Sequence, residues 1–289
     1  MILVPAAVPR TAPAFRRLID PFHLPSVHGG LTVETLPPGV RVEQHPSRVA
    51  ESVTVVLSGR IRSAGRVLGP GEGLYHPPGS SCGITALPGA PAAVLTVRPR
   101  AVADDRPAPL PYPVPLGPPR STAPDAPTAP ATPAARTAPA AGTVPAARRA
   151  GEAGPSGEAG PVLREPGAAG RIAGSAGMEV RWLATADTVG ARRLTVAAST
   201  FAAGGGHDLH RHPHADEFFL VMSGGGGHLT ETAEVPLRAG DLVFVPAGEW
   251  HGFRTGPAGP TAALYGYLGA SSLTGAGYQV RPADVPEVA

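Results

Sequence analysis

Between Tyr112 and Trp182 there is no aromatic residue, and stretches such as STAPDAPTAPATPAARTAPAAG repeat little but alanine, proline and threonine. A segment of this composition cannot bury enough apolar area to offset the entropy of ordering it. Residues 105–177 are therefore predicted to be a disordered Pro/Ala/Gly-rich linker with polyproline character. This divides the 289 residues into two flanks, 1–104 and 178–289, each long enough for one small domain.

The flanks carry short apolar runs: Leu31 to Thr35, Ser52 to Leu57 and Ala93 to Val97 in the first, then Arg193 to Ala198, Glu217 to Met222, Asp241 to Val245 and Ala262 to Leu268 in the second. Glycine or proline punctuates nearly every gap, helped by an overall content of 38 Gly and 37 Pro. Evenly spaced short strands with turn signals predict an all-β sandwich or barrel. No segment holds a helical period, although residues 14–20 fit a single helical turn.

Composition excludes several classes. The formal net charge is +2, and all 24 basic residues are arginines scattered along the chain rather than gathered on one segment. That pattern argues against nucleic acid as a partner. No apolar run approaches the ~18 residues of a membrane span. The opening MILVPAAVPR lacks a preceding basic region and is broken by Pro5 and Pro9, so it does not read as a signal peptide. The single cysteine, Cys82, excludes an internal disulfide framework. These features predict a cytoplasmic protein.

The chemistry concentrates in GGGHDLHRHPHADEFFLVMSG, where His207, His210, His212 and His214 fall within eight residues. Side chains at i and i+2 of a strand share a face. His210 and His212 can therefore point together into a barrel, and Glu217, which opens the next strand, can join them as an open metal site. His212, His214 and Glu217 form a competing set, disfavoured because Pro213 breaks the strand between the two imidazoles. His207 and His214 otherwise read as rim residues, and His228 as structural. Further on, GDLVFVPAGEWHGF places His251 just after a Pro-x-Gly turn that could return it across the barrel.

These residues resemble the two signature motifs of the cupin superfamily. Gly204, His210, His212, Glu217 and Gly224 match every fixed position of G-x5-H-x-H-x3,4-E-x6-G. Gly240, Pro246, Gly248 and His251 match G-x5-P-x-G-x2-H-x3-N, with Thr255 in place of the Asn. The resemblance implies that His210, His212, Glu217 and His251 ligate one divalent transition metal, with Fe, Mn, Ni, Cu and Zn all compatible with the donors. It implies a small double-stranded β-helix, or jelly-roll, barrel over 178–289. Phe219, Phe253, Tyr265 and Tyr267 are candidate cavity-wall residues, with Trp250 near the mouth. No separate catalytic acid or base stands out.

The first flank carries the same pattern in degenerate form. Gly39 precedes His45 by the motif spacing, Ser47 and Ser52 stand at the second His and the Glu positions, and Glu51 is one place off. Gly71, Pro77 and Gly79 keep the turn, and Cys82 takes the last His position. The resemblance is thus to a two-cupin protein: two barrels joined by a linker, the first retained for packing and holding no metal. A repaired site of His45, Glu51, His76 and Cys82 is the alternative. The expected partner is a small molecule, and a homodimer is left open. Two functions follow. One is a metal-dependent enzyme of dioxygenase, decarboxylase or isomerase type. The other is a non-catalytic small-molecule, sugar-binding or sensor module with a structural metal.

Overall fold

Ser52–Ser58 and Asp216–Ser223 read SVTVVLS and DEFFLVMS, without the alternation of a half-exposed strand. Both are buried along nearly their whole length, because each is covered on both faces. That is the organising feature of the computed structural model, which describes residues 1–4, 14–19, 28–44, 49–100 and 175–281. Most of the predicted linker, and the positions of His45 and Ser47, lie outside the described residues.

The first half holds β1 (Ile2–Val4), β2 (Ala14–Ile19), β3 (Gly29–Leu36), β4 (Arg41–Gln44), β5 (Ser52–Ser58), β6 (Ile61–Ser63), β7 (Arg66–Leu68), β8 (Gly73–His76), β9 (Cys82–Ala86) and β10 (Ala92–Pro99). They form a five-stranded sheet, β2-β3-β10-β5-β8, and a four-stranded sheet, β4-β9-β6-β7. The helical turn expected at 14–20 is not formed. Ala14–Ile19 instead pairs antiparallel with β3, from Ala14 opposite Thr35 to Ile19 opposite Leu31, and sheet pairing overrides a weak local preference.

The second half holds β11 (Ser175–Ala184), α1 (Ala186–Val189), β12 (Leu194–Arg211), β13 (Asp216–Ser223), β14 (Gly225–Leu229), β15 (Glu234–Arg238), β16 (Leu242–Val245), β17 (His251–Thr255), β18 (Thr261–Leu268), α2 (Leu273–Ala276) and β19 (Gln279–Val280). The strands form one curled antiparallel sheet in the order β16-β13-β18-β12-β17-β14-β15, with β11 and β19 also on β12. β12 runs on through three glycines. Its first part pairs with β18 and its last part with β17, and the register shifts where the strand bends. Gly204, at φ 70°, makes the bend, a conformation that costs glycine little. β11 starts at Ser175, three residues before the boundary read from composition. No helix among the described residues is long and apolar enough to cross a membrane.

The two halves exchange structure. β1 leaves its own half and pairs with β16, Ile2 opposite Phe244 and Val4 opposite Leu242. The outward faces of both barrels share one apolar cluster: Val53, Val55, Leu57 and Leu95 from the first pack with Leu194, Phe218, Leu220 and Leu264 from the second. Barrel interiors lie on the other strand faces, with Val56, Leu74 and Ile84 in the first and Phe219, Val221 and Tyr267 in the second.

Glu51 belongs to this junction. Its carboxylate accepts the Tyr75 hydroxyl at 2.7 Å and the backbone N–H groups of Arg192 and Arg193 at 3.0 and 2.6 Å. The next residue, Ser52, pairs with His76. The alternative four-ligand site therefore loses its carboxylate to the junction. His76 and Cys82 remain together, Nδ1 to Sγ 3.7 Å, and among the described residues they belong to no cluster of three or more donors.

His76 is 1% exposed, and burial, then Arg98, push its pKa down to about 4 from 6.5. Between these values the unfolded chain binds a proton that the folded chain refuses, so stability is lost as pH falls from 6.5 towards 4. One group shifted this far accounts for about 3 kcal/mol. In urea titrations across that window, His76→Gln should lose less stability than the wild type by up to that amount. Parallel pH profiles would show that His76 is not a neutral buried group.

Candidate metal centre

Local structure aims each donor. His210 and His212 occupy the end of β12 and the residue after it. Gly248, whose φ of 85° turns the chain after Pro246, donates its N–H to the His212 carbonyl at 2.9 Å. This sets β17 beside β12 with His251 directly opposite His210. Glu217, the second residue of β13, is in register with Tyr267 of β18 and Val245 of β16. Its neighbour Asp216 anchors the strand: one oxygen accepts the Ala247 N–H at 2.9 Å and the other the His28 N–H at 2.6 Å. Asp216 thus ties the ligand strand both to the turn before His251 and to the first half of the chain. An acidic residue at a strand start is the only local signal for this role.

One donor atom from each of His210, His212, Glu217 and His251 lies within 4.8 Å of the other three, and all four residues are buried. His210 Nδ1 donates to the Asp208 carbonyl at 2.7 Å, and His251 Nδ1 to the Glu249 carbonyl at 2.9 Å. These bonds fix the rings and leave each Nε2 facing inward, the arrangement that metal-binding imidazoles need. Glu217 Oε2 sits 3.0 Å from His212 Nε2 and 3.1 Å from His251 Nε2. The His212 contact lacks hydrogen-bond alignment, so its ring nitrogen is buried without a hydrogen-bond partner. A nitrogen and an oxygen this close, yet not aimed at each other, suit a shared third centre. The donor set fits a divalent transition ion.

Electrostatics agree. Burial drives His210 well below its usual value, with the neighbouring His251 adding to the effect. Burial alone would raise Glu217, but His251 and His212 hold it well below the usual carboxylate range. Burial would lower His251, yet the Glu217 carboxylate raises it. The Glu217 carboxylate and the His251 imidazole thus each favour the other's charged form.

A small, partly open cavity lies over the cluster, with Phe219, Phe253, Tyr265 and Tyr267 in its wall. His210, Glu217 and His251 face it too. Sequence reasoning misses Met178 and Phe201, which the bend of β12 and the pairing of β11 bring to the cavity. His228, expected to be structural, also lines it. His207 does as well, its Nε2 2.9 Å from the Tyr278 hydroxyl. His214 is exposed and outside the cluster, so the competing ligand set is not assembled. Trp250 lies outside the cavity lining, under the Arg211 guanidinium at 4.7 Å.

Three imidazoles and one carboxylate converging on the interior of an all-β barrel define a class of small barrels with a candidate metal site. Within it, residues 198–265 match the family model described as Cupin domain, and this part of the chain is a cupin domain. No curated protein sequence matches the chain. Among solved structures, the protein Ylba from E. coli superposes with a TM-score of 0.56 at 15% identity, covering 88% of this chain and 81% of that one. A single-site mutant of Bacillus subtilis oxalate decarboxylase OxdC gives 0.56 at 18% identity, covering 89% and 73%. The Lactobacillus farciminis oxalate decarboxylase formate complex gives 0.55 at 15% identity, covering 88% and 81%. The B. subtilis enzyme is described with Mn(II) centres. At these identities the likeness is one of fold, and a two-cupin arrangement of this chain fits it.

Proposed function

We propose that the chain is a metal-dependent cupin enzyme, of dioxygenase, decarboxylase or isomerase type, acting on a small polar molecule at its C-terminal barrel. In this reading His210, His212, Glu217 and His251 hold one divalent ion. The observation that carries it is that His210, Glu217 and His251, though buried, face a partly open cavity. A purely structural metal needs no such opening.

A bound divalent ion would supply Lewis-acid or redox chemistry. The chain's own residues do the rest. The Asp208 and Glu249 carbonyls keep the Nδ1 protons of His210 and His251 turned away from the centre. Glu217 Oε2 and His251 Nε2, 3.1 Å apart, stand side by side at the centre. Phe201, Phe219 and Phe253, with centroids 4.9 to 6.1 Å apart, limit water beside the reacting atoms.

The protein should be stripped with a chelator and reloaded separately with Fe, Mn, Ni, Cu and Zn. Oxalate, acetylacetone and catechol are then offered, with oxygen uptake and substrate loss followed. Turnover of one of them with one metal, absent in the stripped protein, is the expected result. Saturable binding with every metal and turnover with none would favour a non-catalytic binding module.

A further inference from the structure

Two residues that line the cavity carry buried polar atoms whose placement the metal cluster does not explain. The Tyr265 hydroxyl and His228 Nε2 have no hydrogen-bond partner, and their residues are 3% and 2% exposed. A buried hydroxyl or imidazole nitrogen left unpaired costs about 1–3 kcal/mol, and such groups normally find a partner. Neither side chain is loosely placed. Tyr265 lies edge-on to Trp182 and to Tyr267, each at 6.1 Å. The His228 ring lies parallel to His251 at 6.2 Å, within 6°. They stand on different strands, Tyr265 on β18 and His228 on β14, with β12 and β17 between them in the sheet order.

Resting on the metal-centre reading above, we infer that Tyr265 and His228 are the specificity-determining contacts for the part of the ligand that does not bind the metal. The lining residues give the ligand's chemistry. None is an arginine, and the chain has no lysine, so nothing in the wall neutralises a second anionic group. That part of the ligand is therefore an uncharged oxygen function, to which a tyrosine hydroxyl and a neutral imidazole both hydrogen-bond. The Phe201, Phe219 and Phe253 rings offer a flat apolar face to what lies between. The ligand class is a compact planar molecule. One end carries metal-binding oxygens, as in a catechol or an enolised diketone, and the other an uncharged polar substituent.

The probe pair is catechol and 4-nitrocatechol, which share the chelating end and differ in the remote polar group. Both are titrated into metal-loaded full-length protein, with metal content measured on the same samples. The ratio of the two dissociation constants cancels effects common to the metal. Tyr265→Phe, which removes only the hydroxyl, and His228→Leu should each shrink the preference for 4-nitrocatechol by about tenfold, one hydrogen bond's worth. His228→Gln keeps an amide nitrogen near the Nε2 position and should restore most of it. An unchanged ratio in Tyr265→Phe and His228→Leu at unchanged metal content would overturn the inference. Absence of metal from the wild type would instead defeat the metal-centre reading.

Discussion

Full-length His251→Ala protein should lose its metal while staying folded. His251 is one of four converging donors and the partner that balances the buried Glu217 carboxylate. Its removal takes away a ligand and leaves Glu217, 7% exposed, with His212 as its one remaining close imidazole contact, at 3.0 Å. Changing a residue that merely orients a ligand costs 10–100-fold in metal affinity, so losing a ligand should cost about 100-fold or more. His210→Ala should behave alike. His214→Ala, at an exposed position outside the cluster, should keep wild-type occupancy. Elemental analysis after dialysis against a weak chelator reads all three. Wild-type metal content in both His251→Ala and His210→Ala would refute the ligand assignment.

The second large effect is expected at the junction between the barrels. Phe218 is fully buried in the shared apolar cluster, and Phe→Ala in a core costs about 3–5 kcal/mol. Gly266, opposite it on β18, leaves no room for substitution. An added Cβ would overlap the Thr195 carbonyl oxygen and press on the Phe218 ring at 2.9 Å. Gly266→Ala should therefore also destabilise the protein severely. Because the cluster draws on both halves, and β1 and Glu51 cross between them, unfolding should be a single transition. Hydrogen exchange in urea should show β5 and β13 losing protection together in Phe218→Ala. Loss of protection in β13 alone, with β5 unaffected, would mean that the halves are energetically separate.

Much of the four-residue cluster is legible in the sequence because strand parity and turn chemistry are local. His210 and His212 share a face by i, i+2 spacing, and Pro246 with Gly248 sets the return of His251, features visible in a few residues each. Phe219 shares a face with Glu217 by the same spacing, and Phe253, Tyr265 and Tyr267 sit on the strands at and after the second motif. What is not legible depends on pairing between distant segments. Nothing local shows that Ile2–Val4 pairs with β16, or that Glu51 accepts N–H groups 141 and 142 residues away. The full length of β12 is hidden because three glycines usually break a strand. Here they bend it, and the bend carries Phe201 and His207 to the cavity. His228 reads as structural since its role depends on the strands beside it. The doubly buried runs of β5 and β13 hide the shared core, because a strand covered on both faces looks the same wherever its second cover comes from.

One metal ion per chain is expected, held at the C-terminal cluster. Anomalous diffraction from crystals of the metal-loaded full chain, recorded on both sides of the metal's absorption edge, tests it most directly. One peak per chain is expected, about 2.0–2.2 Å from nitrogen atoms of His210, His212 and His251 and from a Glu217 oxygen if the ion is zinc. A peak beside His76 and Cys82, or no peak at the four-residue cluster, would contradict it.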